Sequence, residues 1–213
     1  MESGSRPGRR GEGAPTARGA QSDVRPAGRP RSADADEAIL TAARELLAER
    51  GWEGMTLGDV AARAGVAKTT LYRRWSGKAD LVVDAMAQLF ATLRAVNAGS
   101  ARADTTATIK ELIKLLALPE TQCSVLALAA HAARDPELRA AMREKIIERS
   151  RDVVRAGASF SAARGETNAK VNDPDLMFDI IAGTMIHRML IAGEPVDDDY
   201  LQRFIDVLLP GSS

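Results

Sequence analysis

The chain is predicted to be all-α, and three observations carry that prediction. Beyond residue 33, apolar residues recur at intervals of three and four along almost the whole text. Helix-opening residues (Asp-Pro pairs, Thr or Asp three residues before an acid) and helix-ending glycines punctuate it at helix-sized intervals. No run alternates apolar and polar residues in a way that demands a strand. A length of 213 residues fits one large or two small domains, and the helical segments favour two. Hydrophobic residues make up 45% but aromatics only 4%, so the core must be built from Leu, Ile, Val, Met and Ala.

Residues 1–33 hold Pro7, Pro15, Pro26, Pro30 and six glycines with almost no large apolar side chain. Such a segment cannot offset its ordering entropy by burial, and a disordered basic arm is expected there. Asp34 with Glu37 has capping-box spacing and opens a first helix with Ile39, Ala43, Leu46 and Leu47 on one face, ended by Gly51. Thr56 and Asp59 open a short second helix through Val60, Ala61 and Ala64, broken by Gly65. A third short helix spans about Ala67 to Trp75. Ser76 or Gly77 caps a fourth, about 78–96, carrying Val82, Ala85, Met86, Leu89, Phe90 and Leu93.

After Asn97-Ala98-Gly99-Ser100, Asp104 is a candidate cap for a helix carrying Ile109, Leu112, Ile113 and Leu116, stopped at Pro119. Val125, Leu126, Leu128 and Ala129 mark the next. Asp135-Pro136-Glu137 and Asp173-Pro174-Asp175 each read as N-cap, first helical position and acidic first turn. The first opens a long helix through Leu138, Met142, Ile146 and Val153; the second opens one reaching about Ala192. Leu201, Phe204, Ile205, Leu208 and Leu209 form a last amphipathic helix.

Charge is distributed more tellingly than its formal net of zero suggests. Residues 1–31 carry seven Arg against Glu2, Glu12 and Asp23. Residues 58–78 carry Arg63, Lys68, Arg73, Arg74 and Lys78 against Asp59, whereas 81–213 are mildly acidic. Two basic islands on a neutral chain suggest a localised polyanion-binding surface. Two short helices joined through Gly65 have the form of a helix-turn-helix, with Ala61 and Ala64 at the crossing and Val66 and Leu71 pinning the pair. Its second helix presents Lys68, Thr69, Thr70, Tyr72, Arg73 and Arg74, all able to contact phosphate or base in a major groove about 12 Å wide. A solvated basic face on an ordinary helical hairpin remains the plain alternative at this point.

The stretch from Thr56 to Leu81 (TLGDVAARAGVAKTTLYRRWSGKADL) resembles the DNA-binding domain of TetR-family regulators. Those show Thr-Leu-x-x-Val-Ala-x-x-Ala-Gly-Val-Ser-x-x-Thr-Leu-Tyr-x-x-Phe-x-x-Lys-x-x-Leu, and the Gly51-Trp52 exit of the preceding helix also matches. The resemblance covers roughly residues 34–90 and implies a head at 34–80, with a helical effector-binding and dimerisation domain at 81–213. It implies phosphate contacts by Thr56 and Lys78, groove contacts by Lys68, Thr69, Tyr72 and Arg73, and backbone or base contacts by Thr70 and Arg74. Ala67 stands where the family often has a capping Ser, Trp75 replaces the commoner Phe and reads as core, and Gly58 lacks a side chain for base contact. The base code therefore does not transfer. Just upstream, Arg29 and Arg31 around Pro30 suit a minor-groove arm, the alternative being a tail that raises only non-specific affinity.

The segment from about Asp175 to Ala192 is apolar nearly all round, with a narrow polar strip through Asp179, Gly183 and His187. A helix of that kind needs burial on more than one side. Together with the last helix it matches the family pattern of dimerising as a four-helix bundle, with Ile181, Met185, Met189, Phe204 and Leu208 as the expected interface. The alternative is a core helix of a monomer. By the same resemblance, the helices between about 104 and 165 enclose an effector pocket lined by Leu112, Leu116, Leu126, His131, Met142 and Ile146, suited to an apolar or amphipathic molecule. The implied partners are a palindromic double-stranded DNA operator, a small-molecule effector and a second copy of the chain, with a repressor's role.

Other classes are poorly supplied. His131, His187 and the lone Cys123 offer few members for a nucleophile arrangement, Cys123 and His131 are a weak metal pair, and no phosphate-binding Gly-rich loop is present. No enzyme activity, metal or cofactor is expected. A non-allosteric architectural DNA binder is the nearer rival. With one cysteine, no signal peptide and no membrane-length apolar run, a cytoplasmic location is expected.

Overall fold

The computed structural model describes residues 31–166 and 173–210, and for Arg31 and Ser32 the backbone alone. The described residues form helices and connecting turns, with no strand among them. The elements are α1 (Arg31–Gly54), α2 (Leu57–Arg63), α3 (Lys68–Tyr72), α4 (Lys78–Phe90), α5 (Ala101–Leu116), α6 (Pro119–Ala132), α7 (Pro136–Met142), α8 (Glu148–Ala163), α9 (Pro174–Ile186) and α10 (Asp198–Leu208). A π turn, Arg143–Ile147, joins α7 to α8, and a second, His187–Ile191, continues α9.

α1 buries the predicted face, Ile39, Ala43, Leu46 and Leu47, completely. It begins at Arg31, so Asp34 lies in its first turn and does not cap it. Gly51 takes φ 69°, a left-handed conformation that costs a residue with a Cβ, and the chain bends there before a last turn to Gly54. Thr56 caps α2 through Asp59 N–H, as the Thr-Asp spacing predicts. Gly65, at φ 65°, makes the turn into α3.

α4 is shorter than its apolar periodicity predicts and ends at Phe90. The Thr92 hydroxyl donates to the Leu89 carbonyl at 2.7 Å and the Arg94 guanidinium to the carbonyls of Ala91 and Leu93. These bonds occupy carbonyls at and just past the helix end, and Leu93 there is buried without being helical. The cap of α5 is Ser100, whose Oγ accepts from Ala103 N, and not Asp104. One turn further in, Asp104 is buried, 2% exposed, and accepts from Ala98 N and Arg164 Nη2. Both Asp-Pro openings behave as predicted: Asp135 accepts from Glu137 and Leu138 N–H, and Asp173 from Asp175 and Leu176 N–H.

Two apolar cores result. One joins α1–α4 to α6 and α7 around Leu46, Leu47, Leu71, Trp75, Leu81 and Leu128. The other joins α5, α9 and α10 around Ile109, Leu116, Ile181, Met185, Leu201 and Ile205. Phe90, at the end of α4, packs against both.

Candidate nucleic-acid interface and ligand cavity

α3 stands on α2 through Leu71, fully buried, and half-buried Val66. Its outward side carries Lys68, Thr69, Tyr72 and Arg73, all exposed, with Tyr72 58% exposed. An exposed tyrosine beside two cations is poor packing and a good contact surface. Ala67 makes no side-chain cap; of the first-turn N–H groups of α3, that of Thr70 donates to the Ala67 carbonyl at 2.9 Å. A Cβ at Gly58 would lie 3.2 Å from Lys68 Nζ, so the absent side chain makes room for the ammonium over the start of α2.

The other bases of this island are committed to the scaffold. Arg63 grips Glu49 of α1 with two bonds, of 2.6 and 2.7 Å. That hydrogen-bonded pairing holds the Glu49 carboxyl below its ordinary range. Arg74 turns inward to pair with Asp36 of α1, and Thr70 is half-buried, so the outward set expected from sequence loses these two. Lys78 Nζ donates to the carbonyls of Trp52 (2.7 Å) and Met55 (3.3 Å) and lies 4.9 Å from the Trp52 ring centre. Its ammonium thus ties α4 to the end of α1, a role its place at a helix start does not reveal. Thr56 stays exposed, its hydroxyl donating to Asp59 Oδ2 at 2.6 Å. That bond is the first cause of a lowered Asp59 pKa, with Arg50 and Lys68 adding to it. Arg31 is the first residue of α1, and Arg29 lies outside the described residues.

Behind the head, α4, α5, α6, α8 and α9 enclose a cavity of about 330 Å³. Leu112, Leu116, Met142 and Ile146 line it, as expected. Leu126 and His131 do not. Leu126 faces out, 39% exposed. His131 bonds Ala127 O through Nδ1 and packs its ring on Trp52, because that side of α6 meets α1. Met86, Phe90 and Leu93 also line the cavity, so the helix after α3 is part of its wall. A polar link runs from wall to head: Lys145, in the π turn beside lining residues Ile146 and Ile147, donates to Asp84 Oδ1 at 2.6 Å. Asp84 Oδ2 accepts from Trp75 Nε1 at 2.8 Å, three residues past α3. The Asp84 bond raises the Lys145 pKa. Residues 61 positions apart leave no sequence signal for such a link.

Three of the five residues expected at a dimer face are occupied within the protomer. Ile181, Met185 and Leu208 are buried in the protomer's own second core, at 6%, 0% and 3% exposure, and Met189 and Phe204 pack half-buried against it. An all-round apolar helix has two sides to cover, and this one seals Ile181 and Met185 within the chain. The side left outward carries Leu176, Ile180, Gly183, His187 and, past α9, Ile191. Three of the six exposed large hydrophobics among the described residues, Leu176, Ile180 and Ile191, lie here.

This fold and α3 surface define a helix-turn-helix DNA-binding regulator. The comparisons with known proteins agree. The profile for bacterial regulatory proteins of the tetR family matches residues 39–85, and that for the tetracyclin repressor-like C-terminal domain matches 95–208. The DNA-binding transcriptional repressor TetR of Mycobacteroides abscessus is 33% identical over 175 residues, 81% of this chain and 90% of its own. An HTH-type regulator of Bacillus subtilis, YdeS, is 28% identical over 84% of this chain and 89% of its own. Among solved structures, the TetR-family regulator SCO0332 superposes with a TM-score of 0.71 at 28% identity, over 84% of this chain and 99% of its own. Bacillus subtilis FadR, solved with stearoyl-CoA, gives 0.63 at 19% identity over 82% and 98%, a likeness of fold. The chain belongs to the TetR family of transcriptional regulators, DNA-binding proteins and not enzymes. No single helix among the described residues is long and apolar enough to cross a membrane.

Proposed function

We propose that the protein is a homodimeric repressor that holds a palindromic operator through α3 and leaves it when a small apolar or amphipathic effector enters the cavity. In this reading residues 34–80 are the head and 81–213 the effector and dimerisation domain. The observation that carries it is the outward set Lys68, Thr69, Tyr72 and Arg73 on a helix whose other side is locked to α1 and α2. Thr56 and the arm residues Arg29 and Arg31 add backbone or minor-groove contacts. The side of α9 bearing Leu176, Ile180 and Ile191 meets its copy in a second protomer, and Gly183, with open space beyond its Cα, permits close approach. The repressor role named for the mycobacterial relative supports the sign of regulation.

The cavity supports allosteric release over architectural binding. A ligand touching Met86 and Phe90 presses on α4 itself, and the Lys145–Asp84–Trp75 link carries motion of the π turn to the end of α3. Disfavouring the bound spacing of two heads by about 1–3 kcal/mol suffices for release. The test is selection of bound sequences from random duplex DNA. The expected product is an inverted repeat with half-sites about one helical turn, or a multiple, apart. Recovery of no enriched sequence would remove sequence-specific recognition, and a lone half-site would remove the dimer.

A further inference from the structure

We infer that the cavity takes a cationic amphiphile, an aliphatic body ending in an amine or quaternary ammonium head that sits at the Asp104–Glu166 end. The inference rests on the effector reading above and specifies the ligand class.

The cavity has two chemically different ends. α5 runs along it from Asp104 to Leu116, about 18 Å at the rise of an α-helix. At the Leu116 end the walls are Met86, Val125, Leu128, Met142 and Ile146. Ser150, further along, adds little polarity, because its hydroxyl is already donated to the Ile146 carbonyl at 2.9 Å. At the other end stand Asp104, Thr105, Thr108 and Glu166. The space, about 330 Å³, is roughly twice an apolar cavity of about 150 Å³ that takes a benzene, room for an aliphatic chain of about a dozen carbons.

Charge decides the head. The charged residues lining the cavity are Asp104 and Glu166, and no lysine or arginine lines it among the described residues. Arg164 lies just behind them and is already shared: Nη2 to Asp104, Nε to Glu166 Oε1 at 3.1 Å and Nη1 to Asn97 Oδ1 at 2.8 Å. Among the described residues, two carboxylates against one guanidinium leave this end with a net negative charge. The Arg164 bond, with a second from Ala101 N, holds the Glu166 carboxyl below its ordinary range, so it stays ionised at neutral pH. A cationic head offsets that charge where part of the solvent is excluded. A carboxylate or phosphate head meets like charge and, among the described residues lining the cavity, no uncommitted cation.

The test uses the full chain and three twelve-carbon probes below their micelle concentrations: dodecyltrimethylammonium, 1-dodecanol and dodecanoate. Calorimetric titration is expected to rank the ammonium first and dodecanoate last, about tenfold or more apart, the scale of one partly screened charge interaction. Glu166→Gln, at a partly exposed site, is expected to narrow that ratio severalfold while leaving dodecanol affinity unchanged. Gly157 lines the cavity with open space beyond its Cα, and Gly157→Leu is expected to abolish binding of all three. Dodecanoate binding as tightly as the ammonium, with Gly157→Leu blocking both, overturns the cationic class and leaves the effector cavity standing. Binding that survives Gly157→Leu, or no binding by any probe, overturns the cavity reading and this inference with it.

Discussion

The head and the region behind it use similar aliphatic side chains to opposite ends. In the head, Leu46, Leu47 and Leu71 are at most 1% exposed, and ion pairs from Arg63 and Arg74 fasten α2 and the end of α3 to α1. Behind it, α4, α5, α6, α8 and α9 line a space of about 330 Å³, and Leu112, Met142 and Ile146 are half-buried against it. Close packing fixes a surface that must match a rigid groove; a lined void gives up dispersion contacts and keeps room for a ligand. The difference lies in what faces each leucine, not in how many leucines each region has.

That contrast is easiest to break by truncation. Leu71→Ala should lower unfolding stability by about 2–5 kcal/mol, whereas Leu112→Ala, already facing a void, should lose roughly half as much or less. Equal losses by denaturant titration would mean the cavity is not an open space in solution. Next in size, Ile180→Asp on the outward side of α9 should raise the dimer dissociation constant by at least about tenfold in sedimentation equilibrium, by burying unpaired charge. Met185→Leu, inside the protomer, should leave assembly unchanged. Tyr72→Ala and Arg73→Ala should each weaken operator binding by about 1–3 kcal/mol in fluorescence anisotropy, with the melting temperature unmoved. A matching loss of stability would place these side chains in the scaffold.

Two smaller effects probe the joint between the regions. Lys145→Met should shift Trp75 emission in a Trp52→Phe background and cost about 1 kcal/mol or less, since the pair is partly exposed. Unchanged emission, and unchanged release by a cavity ligand, would show that the link transmits nothing. At the head, Arg63 holds the Glu49 carboxyl below its ordinary 4.5. Its stabilisation is therefore complete above about pH 4.5 and is lost as pH falls through the lower folded-state value. Glu49→Gln should flatten that part of the acid limb of a melting-temperature profile, and an identical limb would show the pair to be inert.

The sequence alone determined which segments are helical and that Lys68, Thr69, Tyr72 and Arg73 face outward, because both are local. Thr56, Gly65, Asp135 and Asp173 act on groups within a few residues of themselves, and an outward α3 follows from Leu71 being its buried anchor. It also showed that α9 must be covered on more than one side. Tertiary structure decided which side is sealed within the protomer, for periodicity does not rank the sides of a helix when apolar residues run all round. It decided as well that Arg74 and Lys78 are consumed by α1, that His131 belongs to Trp52, and that Asp104 leaves its helix cap to face Arg164 60 positions away. Charges and voids of that kind are made by chain segments meeting at long range, and their energies depend on distances that no spacing along the text encodes.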